Sequence, residues 1–219
     1  MCRVINKILL LPGWVIALFS LLTYAKLLAT NPEAKPNKLI PSHVAPGTTQ
    51  LLVDTAKSII KWKGTKLNYT GKHEGTLRVK SGILSFRQGR LTGGFITADM
   101  RTINVTDIPA HETVPRGDLT THLHSDFNTS KFPVATFHIA AVTYQIGKIS
   151  GIAGNLQIKG ITRNIKIAGE SCCLPQSGYP FFIQFTINRF DWNIGTARSW
   201  LEKKLVDKEI QIQVGIVTK

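Results

Sequence analysis

Three runs in the middle of the chain alternate apolar and polar positions with a period of two: Val134–Tyr144, Ile149–Ile158 and Ile161–Ile167. In the last of them Ile161, Arg163, Ile165 and Ile167 share one face, and Thr162, Asn164 and Lys166 share the other. Such alternation predicts half-buried strands. The junctions at Gln145–Gly147 and Lys159–Gly160 are short and end in glycine, which suits tight hairpins. The result is an antiparallel meander, and the same plan extends both ways along the chain. Upstream, Leu51–Asp54 is a short run, Ser58–Leu67 alternates around Trp62, and Gly75–Phe86 and Arg90–Met100 form a long pair turned at Gln88–Gly89. Gly82, Gly93 and Gly94 inside that pair predict bulges or sharp bends, which a sheet needs in order to close. Downstream, Pro180–Asn188 and Leu205–Val217 are rich in β-branched and aromatic residues, with a polar connection over Asn193–Lys203. About eight or nine strands with no room for helical crossovers predict an all-β fold, a single antiparallel eight-stranded barrel.

Two stretches depart from this grammar. Thr102–Phe132 lacks alternation and carries Pro109 and Pro115. Within it Gly117–His124 is expected to make one or two helical turns with Asp118 near the start, as a short helical cap across one barrel mouth. The other is the N-terminus. Arg3 and Lys7 precede an apolar run over residues 8–25, which as a helix rises about 27 Å, close to the thickness of bilayer hydrocarbon. Residues 1–29 are therefore expected to be a signal peptide, cut near Thr23-Tyr24-Ala25, or an N-terminal membrane anchor. Residues 30–50 hold four prolines and no periodicity, a linker, and residues 51–219 form the barrel domain. The expected location is outside the cytoplasm, in the periplasm or cell envelope, with possible membrane association through residues 8–25.

Composition changes this picture little. The formal charge of +14 is large, and Arg3, Lys7, Lys26, Lys35 and Lys38 supply part of it ahead of the barrel. The remaining Lys and Arg sit mainly at turns and wet strand positions with no long basic run, so a solvated basic surface is expected and no nucleic-acid partner. The cysteines, Cys2 and the adjacent Cys172 and Cys173, make no disulfide framework. His122 and His124 flank Leu123, with His111 upstream and Asp118 and Asp126 nearby, but the spacing matches no zinc signature, and a polar cap is the simpler reading. No nucleophile elbow, phosphate loop or dinucleotide fingerprint occurs, so neither catalysis nor a cofactor is expected. The triplets beginning at Asn68, Asn104 and Asn128 would accept glycans only in a eukaryotic secretory pathway.

The order of several short segments carries a resemblance. They are Trp62-Lys63-Gly64-Thr65-Lys66, Gly75-Thr76-Leu77, Leu91-Thr92-Gly93-Gly94-Phe95, His122-Leu123-His124-Ser125-Asp126-Phe127, Lys131-Phe132-Pro133-Val134-Ala135-Thr136-Phe137, Gly154-Asn155-Leu156-Gln157-Ile158-Lys159-Gly160 and Asn188-Arg189-Phe190-Asp191-Trp192. Together they resemble the YceI-like, polyisoprenoid-binding family of bacterial envelope proteins over roughly 51–217. The resemblance implies a lipocalin-like barrel with an elongated apolar tunnel that holds an isoprenoid chain. Where the family commonly has two adjacent aromatic residues after the His-Leu-x-Ser stretch, Phe127 stands alone in a slightly shorter segment. The expected function is binding and carriage or storage of an isoprenoid or other long apolar lipid in the barrel interior. Alternation selects Ile96 with Met100, Phe137 with Ile139, and Phe185 with Phe182 facing away, and Leu156 and, at the mouth, Phe127 complete the lining. The alternatives are a barrel filled by its own side chains and an enzyme that uses the His-containing cap on a lipid-like substrate.

Overall fold

The computed structural model describes residues 47–66, 71–168, 181–196 and 206–219. The apolar N-terminal run, most of the linker, the triplet at Asn68 and Cys172–Cys173 lie outside the described residues. Among the described residues nine strands and one α-helix follow in order: β1 (Thr48–Leu52), β2 (Ile59–Lys66), β3 (Lys72–Arg87), β4 (Arg90–Val105), α1 (Thr113–Phe127), β5 (Val134–Gln145), β6 (Lys148–Ile158), β7 (Ile161–Ala168), β8 (Phe181–Asn188) and β9 (Val206–Ile216), with a 3-10 turn over Arg189–Trp192 after β8.

All pairings are antiparallel, in the order β7-β6-β5-β4-β3-β2-β9-β8, and β1 pairs along the end of β3. The path from β2 to β9 is the expected eight-stranded barrel, nearly closed. Its seam falls between β7 and β8. At one end of the seam Arg163 on β7 donates from Nε to the Asp191 carbonyl of the 3-10 turn at 3.1 Å. The hairpins β3–β4, β5–β6 and β6–β7 turn at Gln88–Gly89, Ile146–Gly147 and Lys159–Gly160, with positive φ at both central residues, as two-residue type I′ turns require.

Register shifts in the β3–β4 pair fall at Thr76/Arg78, Val79/Ser81 and Ser85/Phe86; the last lies beside Gly93, the partner of Ser85, as expected, and none falls at Gly82 itself. Gly94 is needed for close approach: its φ is +136°, and the Ile83 carbonyl lies where a Cβ would stand.

The segment before β5 corrects the sequence reading. β4 runs on to Val105, and α1 is a full helix over Thr113–Phe127, longer than the expected turns over Gly117–His124. Pro115 reads as a breaker, but it falls in the first helical turn, where a missing N–H breaks no intrahelical bond. The helix ends at Asn128 in the left-handed conformation, with its N–H returned to the carbonyls of His124 and Ser125.

The inward faces of the strands meet in one continuous apolar cluster. At the end carrying the β3–β4 and β5–β6 turns, Leu84, Leu91, Ile139, Ile152, Ile167 and Ile216 are each no more than 7% exposed and fill the barrel. The opposite end carries α1 and the 3-10 turn, and there the interior is hollow.

Candidate ligand cavity

The hollow is a cavity of about 330 Å³ lined by seven of the nine strands and by α1. Ile60 and Trp62 of β2, Leu77 of β3, and Ile96, Ala98, Met100 and Ile103 of β4 form one side. Phe137, Leu156, Ile183, Phe185, Ile187, Ile210, Ile212 and Val214 form the rest of the wall. The predicted lining residues Ile96, Met100, Phe127, Phe137, Leu156 and Phe185 all border it. Ile139 does not. It faces inward, as its alternation with Phe137 requires, but it lies deeper and belongs to the packed end. Phe182 does not border the cavity either, in line with the face assigned to it.

Residues missed from sequence follow from the same rule. Ile183 and Ile187 share the parity of Phe185, and Ile60 shares that of Trp62, so alternation alone could have found them. Trp62 lies against Gly75, where a Cβ would stand 2.6 Å from the indole ring, so only glycine leaves room for it. The Trp62 Nε1 is buried without a hydrogen-bond partner. Gly154 plays the same part for Phe137, whose ring would be 2.7 Å from a Cβ there.

Helix α1 has no fully buried residue, yet Leu119, Leu123 and Phe127, spaced by four, turn one stripe toward the cavity and partly roof the mouth. Around the mouth stand Lys66, His73, Asp126, Arg189, Asp207 and Glu209. Arg189 is only 5% exposed. Its guanidinium donates from Nε to the Asp207 carbonyl at 3.0 Å, from Nη1 to Ile194 at 3.2 Å and from Nη2 to Val206 at 3.3 Å, and it stacks on Phe190. It therefore clasps the 3-10 turn to the start of β9. Trp192, 1% exposed, donates from Nε1 to the Leu156 carbonyl at 3.3 Å, and Lys159 reaches the carbonyls of Asp126 and Asn193. These bonds stiffen the rim beside the seam.

Among the described residues the histidines of the cap do not converge on the cavity. His124 shares a 2.8 Å hydrogen bond with the Thr129 hydroxyl at the end of α1, and His111 and His122 are exposed and border no part of the cavity. Among the described residues no three His, Cys, Asp or Glu side chains could hold a metal ion. At the rim, His73 Nδ1 lies 2.9 Å from Asp107 Oδ2, and Asp107 Oδ1 accepts the Glu74 N–H at 3.0 Å. Burial pushes the Asp107 carboxyl up, but the Glu74 N–H and His73 outweigh it and hold it below the usual carboxylate range.

A meander barrel packed at one end and hollow and apolar at the other, with a single helix over the opening, defines a lipocalin-like barrel. The profile of the YceI-like domain matches residues 52–218, and the chain belongs to the YceI-like family. Among solved structures it is similar to BcnA of Burkholderia cenocepacia at 21% identity, over 75% of this chain and 98% of that one, with a TM-score of 0.54, which shows the shared fold. A mutant of the YCEI protein of Campylobacter jejuni also aligns, at 16% identity over 63% of this chain and 80% of that one, with a TM-score of 0.47. No curated protein matches.

Proposed function

We propose that the barrel binds an isoprenoid or other long apolar lipid in its interior and carries or stores it without converting it. The observation that carries this reading is the apolar cavity of about 330 Å³, open beside α1 and closed at the far end. Membership of a family of polyisoprenoid-binding barrels supports it. A barrel filled by its own side chains would lack that cavity. An enzyme of the His-containing cap would need its imidazoles to face the ligand, and His111 and His122 stand away from the cavity.

The energetics suit reversible carriage. Burying a twenty-carbon chain from water is worth about 16 kcal/mol at ~0.8 kcal/mol per carbon. Association costs of roughly 4–15 kcal/mol offset much of this. A chain drawn from a bilayer leaves one hydrocarbon setting for another, so the cavity need only match the membrane. The apolar run over residues 8–25 supports a site of action in the cell envelope, with the barrel exported and either released or tethered.

The test is mass spectrometry of organic extracts of the purified protein. A co-purifying isoprenoid or long-chain lipid is expected. A folded protein whose extract is empty and that takes up no added isoprenoid would sink the carrier reading. Cell fractionation with and without residues 1–29 checks the location: the intact chain is expected in the envelope and the shortened one in the cytoplasm.

A further inference from the structure

Alternation determines which residues face the interior, but the interior is not uniform along its length. On β5 Phe137 borders the cavity and Ile139, the next inward residue, does not. On β6 Leu156 borders it, Gly154 lies beneath the Phe137 ring, and Ile152 does not border it. On β9 Val214 borders it and Ile216 does not. The last lining residues are register partners within two sets of paired strands: Ile96, Phe137 and Leu156 on β4, β5 and β6, and Leu77, Ile60, Val214 and Ile183 on β3, β2, β9 and β8. Beyond them Leu84, Leu91, Ile139, Ile152, Ile167 and Ile216 are buried in the barrel, and none of them borders the cavity.

We propose that this packed floor is a chain-length stop, and that the barrel takes an apolar chain of about three to four isoprene units and no more. The inference rests on the carrier reading above and names the size of its ligand. The lining on β9 runs from Val206 at the rim to Val214 at the floor. That stretch measures about 27 Å at ~3.4 Å per residue, or about 21 Å along the barrel axis at a tilt near 40°. An extended chain advances about 1.25 Å per main-chain carbon for bonds of ~1.52 Å, so about seventeen fit, the main chain of roughly four isoprene units. The volume agrees: 330 Å³ lies at the small end of the roughly 300–1,000 Å³ that ligand cavities span. A longer chain would leave its excess outside the mouth, where it adds no burial.

The full-length protein is titrated with geraniol, farnesol, geranylgeraniol and solanesol in one detergent, with occupancy read by native mass spectrometry. Affinity should climb by at least about tenfold from geraniol to geranylgeraniol, since each carbon buried from water is worth up to roughly fourfold. From geranylgeraniol to solanesol it should change by no more than about twofold, because the floor admits nothing further. Ile152→Ala removes part of the floor and should make solanesol the better ligand. Val214→Phe raises the floor and should bring the plateau down to farnesol, with thermal melting as the check that each variant is folded. Affinity that still climbs to solanesol in the unaltered protein overturns the stop and leaves the carrier reading intact. A plateau that stays put in both folded variants overturns the assignment of the floor to these residues. If no prenol binds the folded protein, the carrier reading fails and the stop with it.

Discussion

Single residues decide what the cavity tolerates and what holds its rim. Phe137 lies at the deep end of the hollow and is 7% exposed. A carboxylate there would have neither water nor a partner, and a buried unpaired charge is costly. Phe137→Glu should abolish uptake of an apolar chain, read by mass spectrometry of extracts, and lower stability by about 3–5 kcal/mol, read by denaturant unfolding. Gly75 is a second critical point, because an added Cβ meets both the Asn104 carbonyl and the Trp62 ring. Gly75→Ala should cost about 1–3 kcal/mol and shift the Trp62 emission as the indole is displaced. Asp107 gives the rim a pH dependence of defined sign. Its carboxyl is held below the ordinary range, so its contribution is present above the unfolded-state value near ~3.9 and is lost as pH falls through the lower folded value. Asp107→Ala should cost about 1–3 kcal/mol at neutral pH. The gap between variant and parent should close below about pH 4, which urea unfolding at a series of pH values checks.

Among the elements, α1 is only loosely committed to the core. None of its residues is fully buried, and its apolar stripe borders the hollow, with Leu123 and Phe127 half-buried at the edge of the core. Stability is not uniform across a fold, and segments with few buried apolar contacts open first. Amides of Thr113–Phe127 should therefore exchange with solvent sooner than those of Val134–Ala168, and an apolar ligand that fills the space below Leu119, Leu123 and Phe127 should slow them. Equal protection of helix and meander without ligand would refute the view of α1 as the movable cover. The meander differs because β4, β5 and β6 each pair on both sides.

At the scale of the whole molecule, the hollow end is an unfilled contribution to stability. Side chains lining a cavity lack contact partners on one side, and a ligand that binds only the folded state restores them. At a free concentration about a hundred times its Kd, geranylgeraniol should stabilise the fold by ~2.7 kcal/mol. For a chain of this size that corresponds to a rise in Tm of about 5–10 °C, measurable by circular dichroism with a strand-dominated far-UV spectrum.

The sequence by itself determined the strands, their turns and the faces they present, because the period-two pattern and the glycine-ended hairpins are local signals. The runs Val134–Tyr144, Ile149–Ile158 and Ile161–Ile167 become β5, β6 and β7 with boundaries almost unmoved. The order of short segments from Trp62 to Trp192 pointed to the family as well. Six of the seven named lining residues border the cavity; Ile96, Met100, Phe137, Leu156 and Phe185 lie on strand faces that alternation can assign, whereas Phe127 lies on α1. Other features needed the tertiary structure. α1 reaches through Pro115 and Gly117 because the proline falls in the first turn, a placement that depends on where the helix starts. Arg189, a surface residue by type, is buried because three backbone carbonyls converge on it from the 3-10 turn and β9. Ile139 has the chemistry and the face of Phe137, yet only one of them meets the hollow. Parity along a strand decides inside from outside. Depth along the barrel depends on the register of neighbouring strands, bulges included, and on which side chains meet across the interior, and no single strand carries that information.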